Sequence, residues 1–217
     1  MSIALRSSAE ARNLATTTHT VTTPSGAASG DVLYGVWYCH GPGSWAVPAG
    51  WTSLINTSDA TYGSMLVCRL VLAGAPDGSY AATTAENETS WGIITAWTGV
   101  DTTTPEDVAA AYLQNASGTY TTPSITTATA DAVLMCHWSQ GPPVTITVDG
   151  ATTLIDTGAS GPSYGASYQT IASPGATGTR AATGMTTHNT CASVGIRPAA
   201  AVQQSTPNAA MLMGVGI

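Results

Sequence analysis

Residues 31–40 read DVLYGVWYCH, and residues 131–137 read DAVLMCH. Both stretches begin with an aspartate, continue as an apolar run, and end with a cysteine followed by a histidine. A short apolar run that is rich in β-branched and aromatic residues and bounded by turn residues is typical of a buried β-strand. This pattern predicts one buried strand that occurs twice, about one hundred residues apart.

The similarity extends outward from these two stretches. Residues 22–25 and residues 121–124 both read TTPS, while residues 50–57 read GWTSLINT and residues 150–157 read GATTLIDT. This period is longer than the roughly 20 to 50 residues of solenoid repeats. We interpret it as an ancestral duplication of one sheet-forming unit.

Short runs rich in Thr, Val, Tyr and Trp alternate with clusters of Gly, Pro, Asn and Asp, a pattern that predicts many short strands. In the first half the predicted strands are Asp31–Cys39, Thr52–Asn56, Tyr62–Leu72, Ser79–Thr83 and Ser90–Trp97. In the second half they are Ala132–Trp138, Val144–Val148, Thr153–Asp156, Ser163–Ala172, Arg180–Thr187 and Cys191–Ile196. Ser8–Asn13 is a candidate for one helical turn, and Pro105–Leu113 is a candidate crossover.

The predicted fold is all-β: one jelly-roll-like β-sandwich built from two duplicated halves related by a pseudo-twofold. All-β domains of about 200 to 250 residues are common as single units, and this chain has 217. We assign residues 1–20 to an N-terminal arm and residues 21–198 to the sandwich. Its halves are 21–100 and 121–198, joined by a connector at 101–120, and an apolar tail follows at 199–217.

Only 8% of the residues are charged, the formal net charge is −7, and the chain contains no lysine. An acidic chain without a basic patch is not expected to bind nucleic acid, because phosphate backbones repel it. No apolar run approaches the 18 residues that predict a membrane helix. Residues 1–20 lack the apolar stretch of a secretory signal. We expect neither a membrane nor a nucleic-acid partner.

Four cysteines, Cys39, Cys68, Cys136 and Cys191, lie inside predicted strands and are expected to be small buried hydrophobes. Disulfide pairing is the alternative. The pairs at residues 39–40 and 136–137 suggest a zinc site with two cysteines and two histidines. Adjacent residues of a strand point to opposite faces, so we expect each cysteine in the core and each histidine at a strand edge or in a loop.

The chain shows no convergent set of catalytic residues. Glu86 and Glu88 lie about 7 Å apart in an extended segment, near the spacing of inverting glycosidases, but two solvated acids are the commoner interpretation. His19 and His188 have no acid at a telling distance, and neither a nucleophile elbow nor a phosphate-binding loop is present. The sequence predicts a protein that is not an enzyme and has no cofactor or metal.

Two groups of residues are candidates for contact with a partner. Trp45 and Trp51 flank a loop rich in Gly and Pro, where an exposed indole would stack on a sugar ring. Met211, Leu212 and Met213 form an apolar stretch near the end of the chain that would require a partner surface, which suggests a homo-oligomer such as a trimer.

Four short motifs resemble a family of β-sandwich modules found in virion proteins of tailed bacteriophages and in bacterial prophage and surface proteins. They are Gly30–Leu33, Pro48–Thr52, Ala96–Thr102 with Pro105, and Val194–Pro198. The resemblance covers about residues 20–198 and implies a structural role in a virion, as a head-decoration or minor tail protein. It carries no catalytic residues with it.

From this resemblance we expect a capsid decoration protein, or a minor tail protein, that docks through its termini onto the major capsid protein or onto tail proteins. It would be assembled into the virion in the bacterial cytoplasm. The alternative is a carbohydrate-binding adhesin that recognises a host-surface glycan through Trp45 and Trp51.

Overall fold

The structure is a computed structural model that describes residues 2–116, 118–148, 152–156 and 161–200. Within these ranges the chain forms fifteen β-strands and no helix, so the all-β prediction is confirmed. The strands are β1 (Ala4–Thr22), β2 (Val32–Cys39), β3 (Trp45–Ala46), β4 (Thr52–Asn56), β5 (Ser64–Val71), β6 (Ser79–Thr98), β7 (Glu106–Asn115), β8 (Thr126–Thr127), β9 (Ala132–Gln140), β10 (Thr147–Val148), β11 (Thr152–Asp156), β12 (Ser163–Ile171), β13 (Gly175–Ala176), β14 (Ala182–Thr183) and β15 (Asn189–Ile196).

Two antiparallel sheets contain the long strands, and each is built from one half of the chain. The first has the order β1-β6-β2-β5-β4, with β3 added against β6, and the second has the order β7-β15-β9-β12-β11. In the first sheet β1 pairs with β6, and β6 pairs in turn with β2. In the second sheet the corresponding strands pair in the same way, β7 with β15 and β15 with β9. The shared order agrees with a duplication, which stays a prediction. Jelly-roll connectivity is not confirmed, because consecutive strands remain in one sheet instead of forming two interleaved Greek keys.

Residues of both sheets share one central core, as expected for a β-sandwich. The first sheet contributes Val32, Tyr34, Val36 and Trp97, among others, and the second contributes Val133, Met135, Val194 and Ile196. A second core covers the outer face of the first sheet, and a third covers the outer face of the second sheet. The central strands are therefore buried on both faces.

This double burial explains the apolar runs in the sequence. Every residue of β2 is buried, with Tyr34 and Val36 in the central core and Leu33 and Trp37 in the outer core. A strand that faces water on one side alternates between apolar and polar residues, whereas a strand covered on both sides reads as a continuous apolar run.

Strands β1 and β6, with 19 and 20 residues, are longer than their neighbours β2 and β5, which have 8 residues each. A straight strand of 20 residues would extend about 66 Å, but the register between β1 and β6 shifts around Thr16, where Ala15 has a φ of 37°. Such irregularities bend a strand. Beyond the shift, Val21 and Tyr80 lie in the outer core of the first sheet, so this end of the ribbon covers the sheet's outer face.

Three local predictions are wrong, for the same physical reason. Ser8–Asn13 is not a helical turn, and the described part of the predicted arm (1–20) is mostly β1, which pairs with β6. Pro105–Leu113 is not the crossover itself: the chain passes between the sheets within residues 99–105, and Glu106–Asn115 forms β7 at the edge of the second sheet. The segments predicted as Ser79–Thr83 and Ser90–Trp97 form one strand, β6. In each case backbone pairing with a distant strand overrides weak local preference.

Direct contacts also join the two sheets. Tyr34 donates a hydrogen bond to Glu106 Oε1 at 3.2 Å, and Arg69 Nε lies 2.8 Å from Glu106 Oε2. On the other side of the core, the rings of Trp97 and Tyr168 meet edge to face at 5.1 Å. These polar and aromatic contacts depend on direction, so they help to set the relative orientation of the two sheets beyond what apolar packing does.

Candidate functional site

Trp45 and Trp51, the two candidate ligand contacts, are buried, with exposures of 4% and 8%. Trp45 packs edge-on against His19 with ring centres 4.9 Å apart, and Trp51 packs edge-on against Trp37 and Tyr80. Both belong to the outer core of the first sheet. Neither indole presents an exposed face, so the exposure expected of these two residues is wrong. Binding of a glycan by the protein stays a prediction. The remaining candidates, Met211, Leu212 and Met213, lie outside the described residues.

The two Cys-His pairs cannot share a zinc ion in this fold. Cys39 lies in the outer core of the first sheet and Cys136 in the outer core of the second, with the central core between them. Across the described ranges, no three His, Cys, Asp or Glu side chains are grouped so that they could hold a metal ion. All four cysteines are buried free thiols, and burial raises the pKa of Cys39 to about 12.

The histidines of these pairs have different environments. His40 is exposed, as the sequence predicts, but His137 is 1% exposed and faces inward, so its expected position at a strand edge or loop is wrong. Its Nδ1 lies 2.6 Å from the hydroxyl of Tyr164. Burial lowers the pKa of His137 to about 3. The ring is therefore neutral at physiological pH.

Sequence reasoning missed His19, which lies fully buried where the β1–β6 ribbon bends. The Thr84 hydroxyl donates to the carbonyl of Glu86, so it accepts from His19 Nε2 at 2.9 Å. His19 Nδ1 then accepts from the Ser90 hydroxyl at 2.7 Å. These bonds satisfy a neutral ring, and burial lowers the pKa of His19 to about 4. The only signal in the sequence is that His19 shares a strand face with Val21.

The contact between Ser90 and His19 has the distance of a nucleophile and its base. Both residues are fully buried, and the ring of Trp45 packs against His19. A substrate cannot reach either side chain without unfolding the bend. The pair therefore stabilises the structure and does not form an active site.

Both ends of the described chain emerge at one end of the sandwich, beside Gly99. The carbonyl of Ser2 closely approaches one side of Gly99, and the amide of Ala199 donates to the carbonyl of Gly99 at 2.8 Å. A side chain at residue 99 would clash with Ser2, and the φ of Gly99 is +71°. Glycine is therefore required for the two ends to meet here.

An open cleft of about 440 Å³ adjoins this meeting point. Its lining includes Asp101, Asp131, Arg197 and Ala200. Backbone hydrogen bonds from Thr104 and Thr103 lower the pKa of Asp101. We call the surface formed by Ser2, Gly99 and this cleft the terminal surface.

No protein family, curated protein or solved structure matches this chain. The resemblance to phage virion modules therefore stays a prediction. No helix in the described part of the chain is long and apolar enough to span a membrane.

Proposed function

We propose that this protein is a structural component of a tailed-phage virion, a capsid decoration protein or a minor tail protein, that docks through its terminal surface. The observation that carries the proposal is that Ser2 and Ala199 both contact Gly99 at one end of the sandwich. Residues 2 and 200 lie at one end of the sandwich. A contact made there with a single lattice site would leave the sheets free to project away from it.

The composition and cores support a static binding role. Three apolar cores stabilise a sandwich whose surface is low in charge and rich in Thr, Ser and Gly. The buried Ser90–His19 pair leaves no accessible nucleophile and base at that position. The protein acts by occupying a site on the virion.

No observation favours the carbohydrate-binding alternative. Its two proposed stacking residues, Trp45 and Trp51, are already covered by protein rings on the outer face of the first sheet. Glycan binding remains an outcome that the experiment below would reveal.

The test is co-sedimentation of the purified protein in three separate arms: with capsids that lack it, with tails that lack it, and with insoluble host polysaccharide. A double variant, Ala130→Arg and Ala200→Arg, places two bulky charges at the terminal surface, where both alanines are exposed. The matched control is Ala85→Arg, an exposed alanine on β6. We expect wild type and control to bind one of the two structures and the double variant to lose binding at least about tenfold.

Two outcomes would contradict the proposal. One is the absence of binding to both capsids and tails, and the other is equal binding by wild type and the double variant. Binding only to host polysaccharide would point to the adhesin.

A further inference from the structure

Each sheet has an aspartate directly before the strand at its centre. Asp31 is the last residue before β2, and Asp131 is the last residue before β9. Asp31 is buried and accepts two hydrogen bonds from Arg6 of β1, from Nε at 2.7 Å and from Nη2 at 3.1 Å. Asp131 is exposed, and its carboxylate makes no hydrogen bond or ion pair with any described residue. The first sheet therefore completes an arginine pair that the second sheet leaves open.

The register of the edge strands explains why the second sheet has no such pair. Arg6 is the extra residue of a bulge in β1, opposite residues 96–97 of β6. Asp107 is the extra residue of a bulge in β7, opposite residues 195–196 of β15. Both of these segments also pair with the first residues of the central strand, β2 or β9. The two bulges are therefore equivalent, and an acid stands where the first sheet has its arginine.

Asp107 also replaces the aspartate in holding the loop before the central strand. In the first sheet the amide of Ala28 donates to Asp31, whereas in the second the amide of Ala128 donates to Asp107. Asp131 thus lacks both partners that hold its counterpart. It has a left-handed φ of 58° and lines the cleft of the terminal surface.

We propose that Asp131 binds an arginine side chain of the protein on which the terminal surface docks. This inference rests on the proposed function, because it names the partner group that the terminal surface recognises. The partner would supply the guanidinium that Arg6 supplies to Asp31 within the first sheet.

The charge of the cleft favours a cation. Arg197 also lines the cleft, but it is already paired, with Nε 3.5 Å from Asp107 and Nη1 donating to Thr104 at 3.3 Å. Asp101 adds a second carboxylate to the lining. The net charge of −7 attracts a basic partner surface to the whole chain and repels a second copy of it.

The free carboxylate also distinguishes between cations. Both of its oxygens are available, so a planar guanidinium can donate two parallel hydrogen bonds, as Arg6 does to Asp31, whereas an ammonium group acts as a point charge. A metal ion is disfavoured, because the described residues contain no group of three His, Cys, Asp or Glu side chains that could hold one.

The first test needs no virion. A blocked tripeptide with a central arginine, titrated into the ¹⁵N-labelled full chain at low salt, should shift the amide signals of residues 129–131. The shifts should shrink in about 0.5 M salt, which screens an exposed ion pair. The same peptide with citrulline in place of arginine has nearly the same shape without the charge, and it should cause no such shifts. Equal shifts by both peptides, or none by the arginine peptide, would overturn the proposal.

The matched protein variants are Asp131→Asn and Glu86→Gln, each of which removes one exposed acid. Asparagine tolerates a left-handed φ, so the first variant should fold as wild type does. Its affinity for the arginine peptide should fall at least about threefold. Glu86→Gln, at the bend of β6, should bind as wild type. Undiminished binding by Asp131→Asn would refute the contact.

The second test uses the capsids and tails. Asp131→Asn should weaken binding to whichever structure binds wild type by about threefold, and the charge reversal Asp131→Arg should weaken it by at least about tenfold. If the double variant at Ala130 and Ala200 lost binding while Asp131→Arg kept it, the terminal surface would stand and the arginine contact would be refuted. If wild type bound neither structure, the proposed function would fail, and the peptide titration alone would decide for or against the guanidinium contact.

Discussion

Two histidines of this chain are buried as neutral rings. His19 holds the bend of the β1–β6 ribbon, since its two ring nitrogens contact Thr84 and Ser90 on separate parts of β6. His137 contacts Tyr164 inside the central region of the sandwich. Burial lowers both pKa values, to about 4 for His19 and about 3 for His137.

These shifts predict a loss of stability in acid. An unfolded histidine binds a proton near its ordinary pKa of 6.5, whereas folded His19 binds one only near 4, so between these values the unfolded state holds more protons. The free energy of unfolding should be unaffected by these histidines above about pH 7 and fall as the pH drops from about 6.5 towards 4. Urea denaturation at several pH values measures this slope.

The matched variants are His19→Gln and His40→Gln, one buried and one exposed histidine. The slope should become shallower in the first variant and stay that of wild type in the second. If the free energy of unfolding fell equally steeply with pH in all three proteins, His19 would have the same pKa in the folded and unfolded states, and the prediction would be wrong.

A buried carboxylate also has a defined role. Asp107 accepts hydrogen bonds from the amides of Ala128 and Thr129 at 2.5 and 3.2 Å, and from the Thr129 hydroxyl. It therefore connects β7 to the loop that precedes β9. Asp31 connects the loop before β2 to Arg6 on β1 at 2.7 Å, which fastens the other long edge strand.

Asp107→Ala should lower the free energy of unfolding by about 3 kcal/mol, because it leaves buried donors and Arg197 without their partner. Asp101→Ala, at a more exposed turn, should cost about 1 kcal/mol. Denaturant titration of both variants compares them. Equal losses would mean that burial of Asp107 contributes nothing.

At the scale of elements, the indole ring of Trp37 on β2 packs over two glycines, Gly35 on β2 and Gly92 on β6. A Cβ at Gly35 would lie 2.5 Å from the ring of Trp37, and a Cβ at Gly92 would lie 2.6 Å from Val21 and 3.0 Å from the same ring. Trp37 also donates to the carbonyl of His19 at 2.9 Å. The outer core therefore depends on the absence of side chains at two neighbouring positions.

Gly92→Ala should destabilise the protein by about 1–3 kcal/mol, because the added methyl group forces Val21 or Trp37 out of place. Gly74→Ala is the control, since a Cβ there meets open space, and it should change stability by less than about 0.5 kcal/mol. Thermal unfolding followed by near-ultraviolet circular dichroism reports both stability and the Trp37 environment. A neutral Gly92→Ala would show that the outer core is loosely packed.

For the whole molecule, the central core makes the two halves interdependent. Val36 and Trp97 in one half share this core with Met135 and Val194 in the other, and Glu106 binds Tyr34 and Arg69 across the sheets. Separate halves would each expose one complete face of this core to water.

Fragments 1–100 and 101–217, produced separately, should therefore lack cooperative unfolding transitions. Mixing them should restore a folded complex, with dispersed NMR signals and a cooperative melt. A cooperative transition in either fragment alone would identify that half as an independent domain.

Apart from the two long edge strands, most strands of the two sheets could be predicted from local sequence. Strand β4 has the predicted bounds, and β2 and β9 agree with the prediction to within one or two residues at each end. Their apolar runs and flanking turn residues act within a few residues. The two long edge strands could not be predicted in this way, since β1 is largely polar and β7 contains an alanine run.

The features of the candidate site divide in the same way, into those that local sequence predicts and those that depend on distant contacts. The exposed position of His40 follows from its place after an apolar run, but the burial of Trp45 and Trp51 depends on a ribbon contributed by residues far away in the chain. The meeting of residues 2 and 199 at Gly99 likewise joins segments that are distant in sequence.

The sequence by itself determined that this protein is all-β, where its central strands lie, and that its surface is acidic and low in charge. Local chemistry is sufficient for these properties, because strand preference, turns and net charge depend on residue type and near neighbours. Only the tertiary structure decided that residues 4–22 and 106–115 are edge strands, that the indoles of Trp45 and Trp51 are covered, and that residues 2 and 199 meet at Gly99. These features arise from contacts across about a hundred residues, which no local pattern encodes.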